Sequence, residues 1–147
     1  MCSIFGIGFL RGHKFRNKST VTGVVSRLFK EAESGGRKAA GVSIMNEKSV
    51  NVLRRPMSGS QLVGTEEYLG FMQERLEFEK AGRYTMSIIG HCRWPTQGSP
   101  SNNLNNHPLV IDNIIGVHNG VITNDYNLFK EFRTLKRLAE VDTEIIF

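Results

Sequence analysis

A layered α/β or α+β domain built on a largely antiparallel sheet is what this sequence predicts, and three features predict it. The apolar runs are short and bounded by turns. They alternate with stretches of helical spacing in the order strand, helix, hairpin, helix, strand, loop, strand, helix. The length of 147 residues is one domain's worth of chain, and 39% hydrophobic against 22% charged residues describes a globular rather than a disordered chain.

Each element has its own warrant. Residues 2–10 are apolar with Gly6 and Gly8 interspersed, and read as a buried strand closed by Arg11-Gly12-His13. Ser19 and Thr20 are candidate caps for a helix reaching Glu33, with Val24, Val25, Leu28 and Phe29 on one face and Ser34-Gly35-Gly36 as its stop. Ala40–Ile44 and Val50–Leu53 flank the polar Asn46-Glu47-Lys48 and read as a hairpin. Thr65 to Lys80 opens with two glutamates and predicts a second helix. Tyr84–His91 is strand-like. Pro95 to Pro108, rich in Ser, Asn, Gln and Gly, is expected to be a polar loop outside the core. Asn113–His118 predicts another strand, and Asp125–Ala139 a helix basic toward its end. The final Thr143-Glu144-Ile145-Ile146-Phe147 is apolar without a cap or turn, and reads as an element cut through.

Composition narrows the classes of function. The net charge is +5, but Arg11, Lys14, Arg16, Lys18, Arg54, Arg55 and Lys130 to Arg137 are scattered. No run of five or six basic residues marks a nucleic-acid footprint. Two cysteines, Cys2 and Cys92, are too few for a disulfide scaffold. No stretch approaches 18 apolar residues, and the start lacks a basic region before its apolar run. A cytoplasmic, reducing location is the expectation.

Chemistry concentrates in three places. Cys2 follows Met1 directly; removal of Met1 leaves a thiol and a free α-amino group on one residue, a nucleophile beside a base. A buried thiol that happens to be second is the bland alternative. His118-Asn119-Gly120 follows an apolar strand and offers an amide side chain and a glycine N–H, two donors suited to an oxyanion, or simply a tight turn. Gly90-His91-Cys92-Arg93-Trp94-Pro95-Thr96-Gln97-Gly98 brings an arginine able to clamp a carboxylate to the mouth of a strand. A metal site from Cys2, Cys92, His91, His107 and His118 has no Cys-x-x-Cys or paired-His spacing behind it.

Five segments in order resemble the class II glutamine amidotransferases, most closely the glutaminase domain of the glutamine–fructose-6-phosphate aminotransferases. They are Met1-Cys2-Ser3-Ile4-Phe5-Gly6, Gly90 to Gly98, Asn106-His107-Pro108, Val117-His118-Asn119-Gly120 and Val141-Asp142-Thr143-Glu144. The resemblance implies an αββα sandwich of the N-terminal nucleophile hydrolase type, with residues 1–147 as its N-terminal part. It implies that Cys2 attacks the side-chain amide of L-glutamine through a thioester, with Asn119 and Gly120 as oxyanion hole. It also implies that Arg93 meets the substrate α-carboxylate, Asp142 its α-ammonium, and that Trp94, Thr96 and Gln97 shape the pocket. Neither metal nor cofactor is required, and a second chain is expected to complete the sandwich or carry the ammonia acceptor. An amidase for another amide and a glutamine-binding unit without turnover are the other readings.

Five positions depart from the family pattern. Ser3 stands where the family has glycine, Cys92 where it has threonine, and Gln97 where its nearest members have histidine. Aligned on Ala40-Gly41, a nucleophile-orienting arginine of the family becomes Gly35 and its aspartate Lys38. Arg37 is the expected substitute if the support survives at all. Cys92 is expected to be a core thiol.

Overall fold

The computed structural model describes residues 1–10, 12, 17–77 and 85–147. The proposed ends at Arg11, His13, Lys80 and Tyr84, and the charges at Lys14 and Arg16, therefore lie outside the described residues. The elements are α+β with antiparallel pairing throughout. Strands β1 (Ser3–Phe9), β2 (Ala39–Asn46), β3 (Val50–Arg55) and β4 (Met86–Arg93) form one sheet in the order β1-β4-β2-β3. A separate hairpin joins β5 (Leu109–Ile111) and β6 (Ile114–Gly116). Helices α1 (Lys18–Ala32), α2 (Gly59–Leu62), α3 (Glu66–Arg75) and α4 (Asp125–Glu131) complete the set, with 3-10 turns at Glu33–Gly35, Asn103–Asn105 and Asp142–Ile146. No described helix is long and apolar enough to cross a membrane.

The sheet's first face carries the core. Directly opposed residues share a face, so Phe5, Ile7 and Phe9 align with Gly90, Ile88 and Met86, and Val42 and Ile44 with Gly90 and Ile88. Helix α1 presents Val21, Val25 and Phe29, one per turn, onto that face. Phe29 is fully buried, edge-on to Phe5 at 4.8 Å and to Tyr68 of α3 at 6.1 Å. The Tyr68 hydroxyl shares a 3.0 Å hydrogen bond with Ser26, which satisfies the one polar atom in this layer of large side chains. Cys92 is buried here, its thiol 3.7 Å from the Phe29 carbonyl, and burial pushes its pKa up to about 12. The core-thiol expectation holds.

The second face positions the site. It presents Ile4, Gly6 and Gly8 from β1, Ile89, His91 and Arg93 from β4, Gly41 and Ser43 from β2, and Arg54 from β3. The chain after Arg93 folds back over one end of it. Arg54 Nη1 donates to the carbonyls of Asn106 (3.1 Å) and Pro108 (3.2 Å). The backbones touch at Gly41, where a Cβ would lie 2.1 Å from the His107 oxygen. At the β1 end, by contrast, Ile4, Gly6 and Gly8 are exposed.

Several elements differ from the sequence expectation. Asn17, not Ser19 or Thr20, caps α1, its side chain accepting from the Thr20 N–H at 3.2 Å. The short α2, opened by a Ser58/Gln61 capping box, was not anticipated. The strand expected over Asn113–His118 is present but shorter, as β6, and pairs with β5 in a hairpin. Asn105, Asn106 and His107, in the stretch read as a loop outside the core, are buried. Helix α4 stops at Glu131 rather than Ala139. Arg137 Nη2 lies 3.0 Å from the Asp125 carboxylate at the start of that helix. Twelve residues of continuous helix would separate the two by about 18 Å, so the chain has to turn back.

Candidate active site

The site forms where the end of β4 meets the start of β1. The register sets Ser3 against Cys92, which places Cys2 beside Arg93 and Trp94. The half-buried Cys2 sulfur sits on the Trp94 peptide: the Trp94 N–H donates to Sγ at 3.4 Å, and Sγ is 3.4 Å from the Trp94 oxygen. The Trp94 ring is half-exposed, with Lys38 Nζ 6.0 Å from its centre.

Arg93 is buried and largely committed. Its Nη1 donates to Asn106 Oδ1 at 3.0 Å, and its Nη2 to the Gly98 carbonyl at 3.0 Å and to the Gln97 carbonyl. These bonds shape residues 97–106 around the guanidinium. Among the described residues, Nε and one Nη1 proton remain for a further acceptor. Burial pulls the Arg93 pKa down, while Cys2 and Asp142 push it up, so thiol, guanidinium and carboxylate share one electrostatic neighbourhood.

Asp142 is buried and pins the oxyanion candidate. Its Oδ2 accepts from the Ile122 N–H at 2.6 Å and its Oδ1 from the Thr143 hydroxyl at 3.4 Å. Thr143 Oγ1 also meets His107 Nε2 (3.1 Å) and His118 Nδ1 (3.2 Å). A hydroxyl that donates to Asp142 accepts from both rings, which assigns protons to His107 Nε2 and His118 Nδ1. His91 Nε2 lies 3.2 Å from the His118 carbonyl and must donate to it. His118 is thus held by ring and carbonyl together, immediately before Asn119 and Gly120. Both of those residues are exposed, and a Cβ at Gly120 would lie 2.6 Å from His118 Nε2.

His91 and His107 are built to stay neutral. His91 and His107 stack at 4.4 Å, and the Nδ1 atom of each is buried without a partner. Burial lowers His91 to about 4, with Arg93 and His118 adding to the effect against the His118 carbonyl. Burial, then His91, Arg93, His118 and Arg54, lowers His107 to about 2.

The remaining expected residues divide. Thr96 and Gln97 are exposed. Gln97 ties its loop down, its carbonyl to Arg93 and its Nε2 to Asp125 at 3.4 Å. Arg37 faces Glu33 at 3.3 Å with its side chain 69% exposed. Among the described residues, no group of three His, Cys, Asp or Glu side chains is placed to hold a metal ion. Sequence reasoning gave no individual role to Asn106, Thr143 or Arg54. The first two sit inside recognised motifs, and only their bonds reveal what they do.

Comparison with known proteins places this geometry. No family model matches the chain. Over 148 residues it is 28% identical to the glutamine–fructose-6-phosphate aminotransferase (isomerizing) of Helicobacter pylori, covering 99% of this chain and 21% of that protein. It is 31% identical over 149 residues to the protein of the same name from Sulfurisphaera tokodaii, covering 99% of this chain and 22% of that one. Against the one from Clostridium acetobutylicum it is 33% identical over 150 residues, covering 99% and 21%. The chain spans about a fifth of the length of these curated relatives.

Proposed function

The chain belongs to the class II glutamine amidotransferases, corresponding to the glutaminase domain of the glutamine–fructose-6-phosphate aminotransferases, and from that premise we propose that it hydrolyses the side-chain amide of L-glutamine. The observation that carries the proposal is the seating of the Cys2 thiol on the Trp94 peptide, next in the chain to the buried Arg93.

Once Met1 is removed, the Cys2 α-amino group accepts the thiol proton as Sγ bonds to the amide carbon. Charge builds on the former carbonyl oxygen, and the Asn119 amide and Gly120 N–H stabilise it. Collapse passes the proton to the leaving nitrogen and releases ammonia. The thioester left behind is hydrolysed by water to glutamate, with the α-amino group again handling the proton. Arg93 uses its spare Nε and Nη1 protons for the substrate α-carboxylate. Asp142, which already accepts two hydrogen bonds, offers its charge to the α-ammonium. Trp94, Thr96 and Gln97 border the pocket.

Residues 1–147 are, in this reading, part of a glutaminase domain whose αββα sandwich needs a second sheet. Ile4, Gly6 and Gly8 on the sheet's second face are exposed, which leaves that end of the sheet open to such a layer. More of the same protein or a second chain would supply the cover and the ammonia acceptor. A second reading, glutamine binding without turnover, is favoured by Arg37 pairing outward with Glu33, which leaves no arginine from this segment at the thiol.

The test is incubation of the Met1-processed protein with a glutamine-mimicking diazoketone, followed by mass mapping. Turnover predicts a single adduct on Cys2 and equimolar glutamate and ammonia from L-glutamine. A folded, processed protein without the adduct overturns the reading. An adduct on Cys2 with no glutamate release selects the second one.

A further inference from the structure

Between α1 and β2, Gly35 and Gly36 press side-chain-free backbone against both strands that hold the site. A Cβ at Gly36 would lie 2.4 Å from the Arg93 carbonyl carbon and 2.6 Å from the Trp94 nitrogen, the nitrogen whose N–H donates to the Cys2 sulfur. A Cβ at Gly35 would lie 2.0 Å from Ser3 Oγ, and 3.1 Å from Ser3 Cβ and the Cys2 carbonyl carbon. The 2.0 Å separation is far inside van der Waals contact, so a side chain at position 35 would need the space that the Ser3 hydroxyl fills. The segment is anchored on both sides: Gly36 N–H donates to the Glu33 carbonyl and Lys38 N–H to the Arg93 carbonyl, each at 3.1 Å.

We propose that Ser3 is a positioning residue for Cys2. Its hydroxyl fills the notch at Gly35 and so holds the Cys2–Ser3 peptide against Trp94, and a side chain at position 35 would compete with that hydroxyl for the same space. The proposal rests on Cys2 being the nucleophile. It adds a determinant that lies on the opposite face of β1 from the thiol and touches no substrate.

The physical consequence is one of placement. Emptying the notch in Ser3→Gly frees the strand entry to shift, and displacements of about 1 Å at a nucleophile cost up to about a hundredfold in rate. Binding groups Arg93 and Asp142 are untouched, so the loss falls on kcat while KM for L-glutamine stays level. Gly35→Ala forces a methyl group onto the hydroxyl and lowers both the unfolding midpoint and the rate. In Ser3→Gly/Gly35→Ala the methyl occupies the vacated space.

The experiment is a double-mutant cycle over these four proteins. It is read by kcat and KM for L-glutamine, by the rate of Cys2 alkylation with iodoacetamide, and by urea unfolding. The expected result is a loss of about tenfold or more in kcat and a slower alkylation for Ser3→Gly at unchanged KM. The double variant should recover at least tenfold in rate, and most of the midpoint, relative to Gly35→Ala. Wild-type kinetics in Ser3→Gly, or a double variant no better than Gly35→Ala, overturns the proposal. If the wild-type protein turns over no glutamine, the glutaminase reading fails. Iodoacetamide, which needs no glutamine recognition, and the unfolding cycle still decide the Ser3–Gly35 competition.

Discussion

Acid should destabilise this protein through His91 and His107. Both rings are buried, stacked on each other and held neutral, at about 4 and about 2 against 6.5 in the unfolded chain. Between those folded values and 6.5 the unfolded chain binds protons that the folded chain refuses. Stability is therefore full above pH 6.5 and falls as the pH drops below it. At pH 5 each ring lies 1.5 units below 6.5 and above its own folded value, which costs about 2 kcal/mol per histidine and about 4 kcal/mol together. That is a large share of the 5–15 kcal/mol by which domains are stable. Glu33, which hydrogen bonds to Ser60 hold below the usual carboxylate range, adds its loss only at lower pH.

Urea unfolding at pH 8 and pH 5 measures the difference directly, provided the slope m is the same at both. The substitution that isolates the effect is His107→Gln, because the glutamine amide can still donate to Thr143 Oγ1 yet does not titrate. It should be less stable than wild type at pH 8, having lost the ring stack. Its further loss on going to pH 5 should shrink from about 4 to about 2 kcal/mol. A variant that loses as much as wild type, or a wild type whose stability is flat over this range, would refute a neutral buried His107.

Other consequences can be measured separately. Gly41→Ala places a methyl group where the His107 carbonyl sits 2.1 Å away; overpacking of this kind should cost about 1–3 kcal/mol in urea unfolding and loosen the 97–108 segment. Phe29→Ala removes the fully buried ring between Phe5 and Tyr68 and should cost about 3–5 kcal/mol. Asn119→Ala, at an exposed position, should leave the unfolding midpoint within about 0.5 kcal/mol of wild type but lower kcat by about a hundredfold or more. Asp142→Asn keeps an acceptor for the Ile122 N–H while removing the charge, so its signature should be a raised KM for L-glutamine in steady-state assays.

Much of the scaffold was legible because it depends on local spacing. Val21, Val25 and Phe29 recur at helical intervals, and the hairpin of β2 and β3 follows from two apolar runs around Asn46-Glu47-Lys48. The misreadings have non-local causes. Asn105, Asn106 and His107 look like loop residues by composition. They are buried because the side chains of Arg93, Arg54 and Glu140 bond to that loop, and no periodicity announces such pairs. Helix α4 ends at Glu131 and the chain turns back so that Arg137 meets Asp125, a contact that a propensity argument does not contain.

The same division applies at Cys2. By itself the sequence determined the kinds of groups available: a thiol after the first methionine, an arginine at a strand end, an Asn-Gly pair and an acid downstream, in an order matching one family. Those are matters of residue type and succession. Tertiary structure decided which of these groups meet: Cys2 on the Trp94 peptide, Arg93 spending three donors on its own loop, His118 clamped by Thr143 and His91, and Arg37 turned away to Glu33. It also placed the Ser3 hydroxyl where a side chain at Gly35 would have to sit. Contacts between positions 3 and 35 or 93 and 106 arise from sheet register and loop closure. Both are set by the burial of the whole chain, not by any window of sequence.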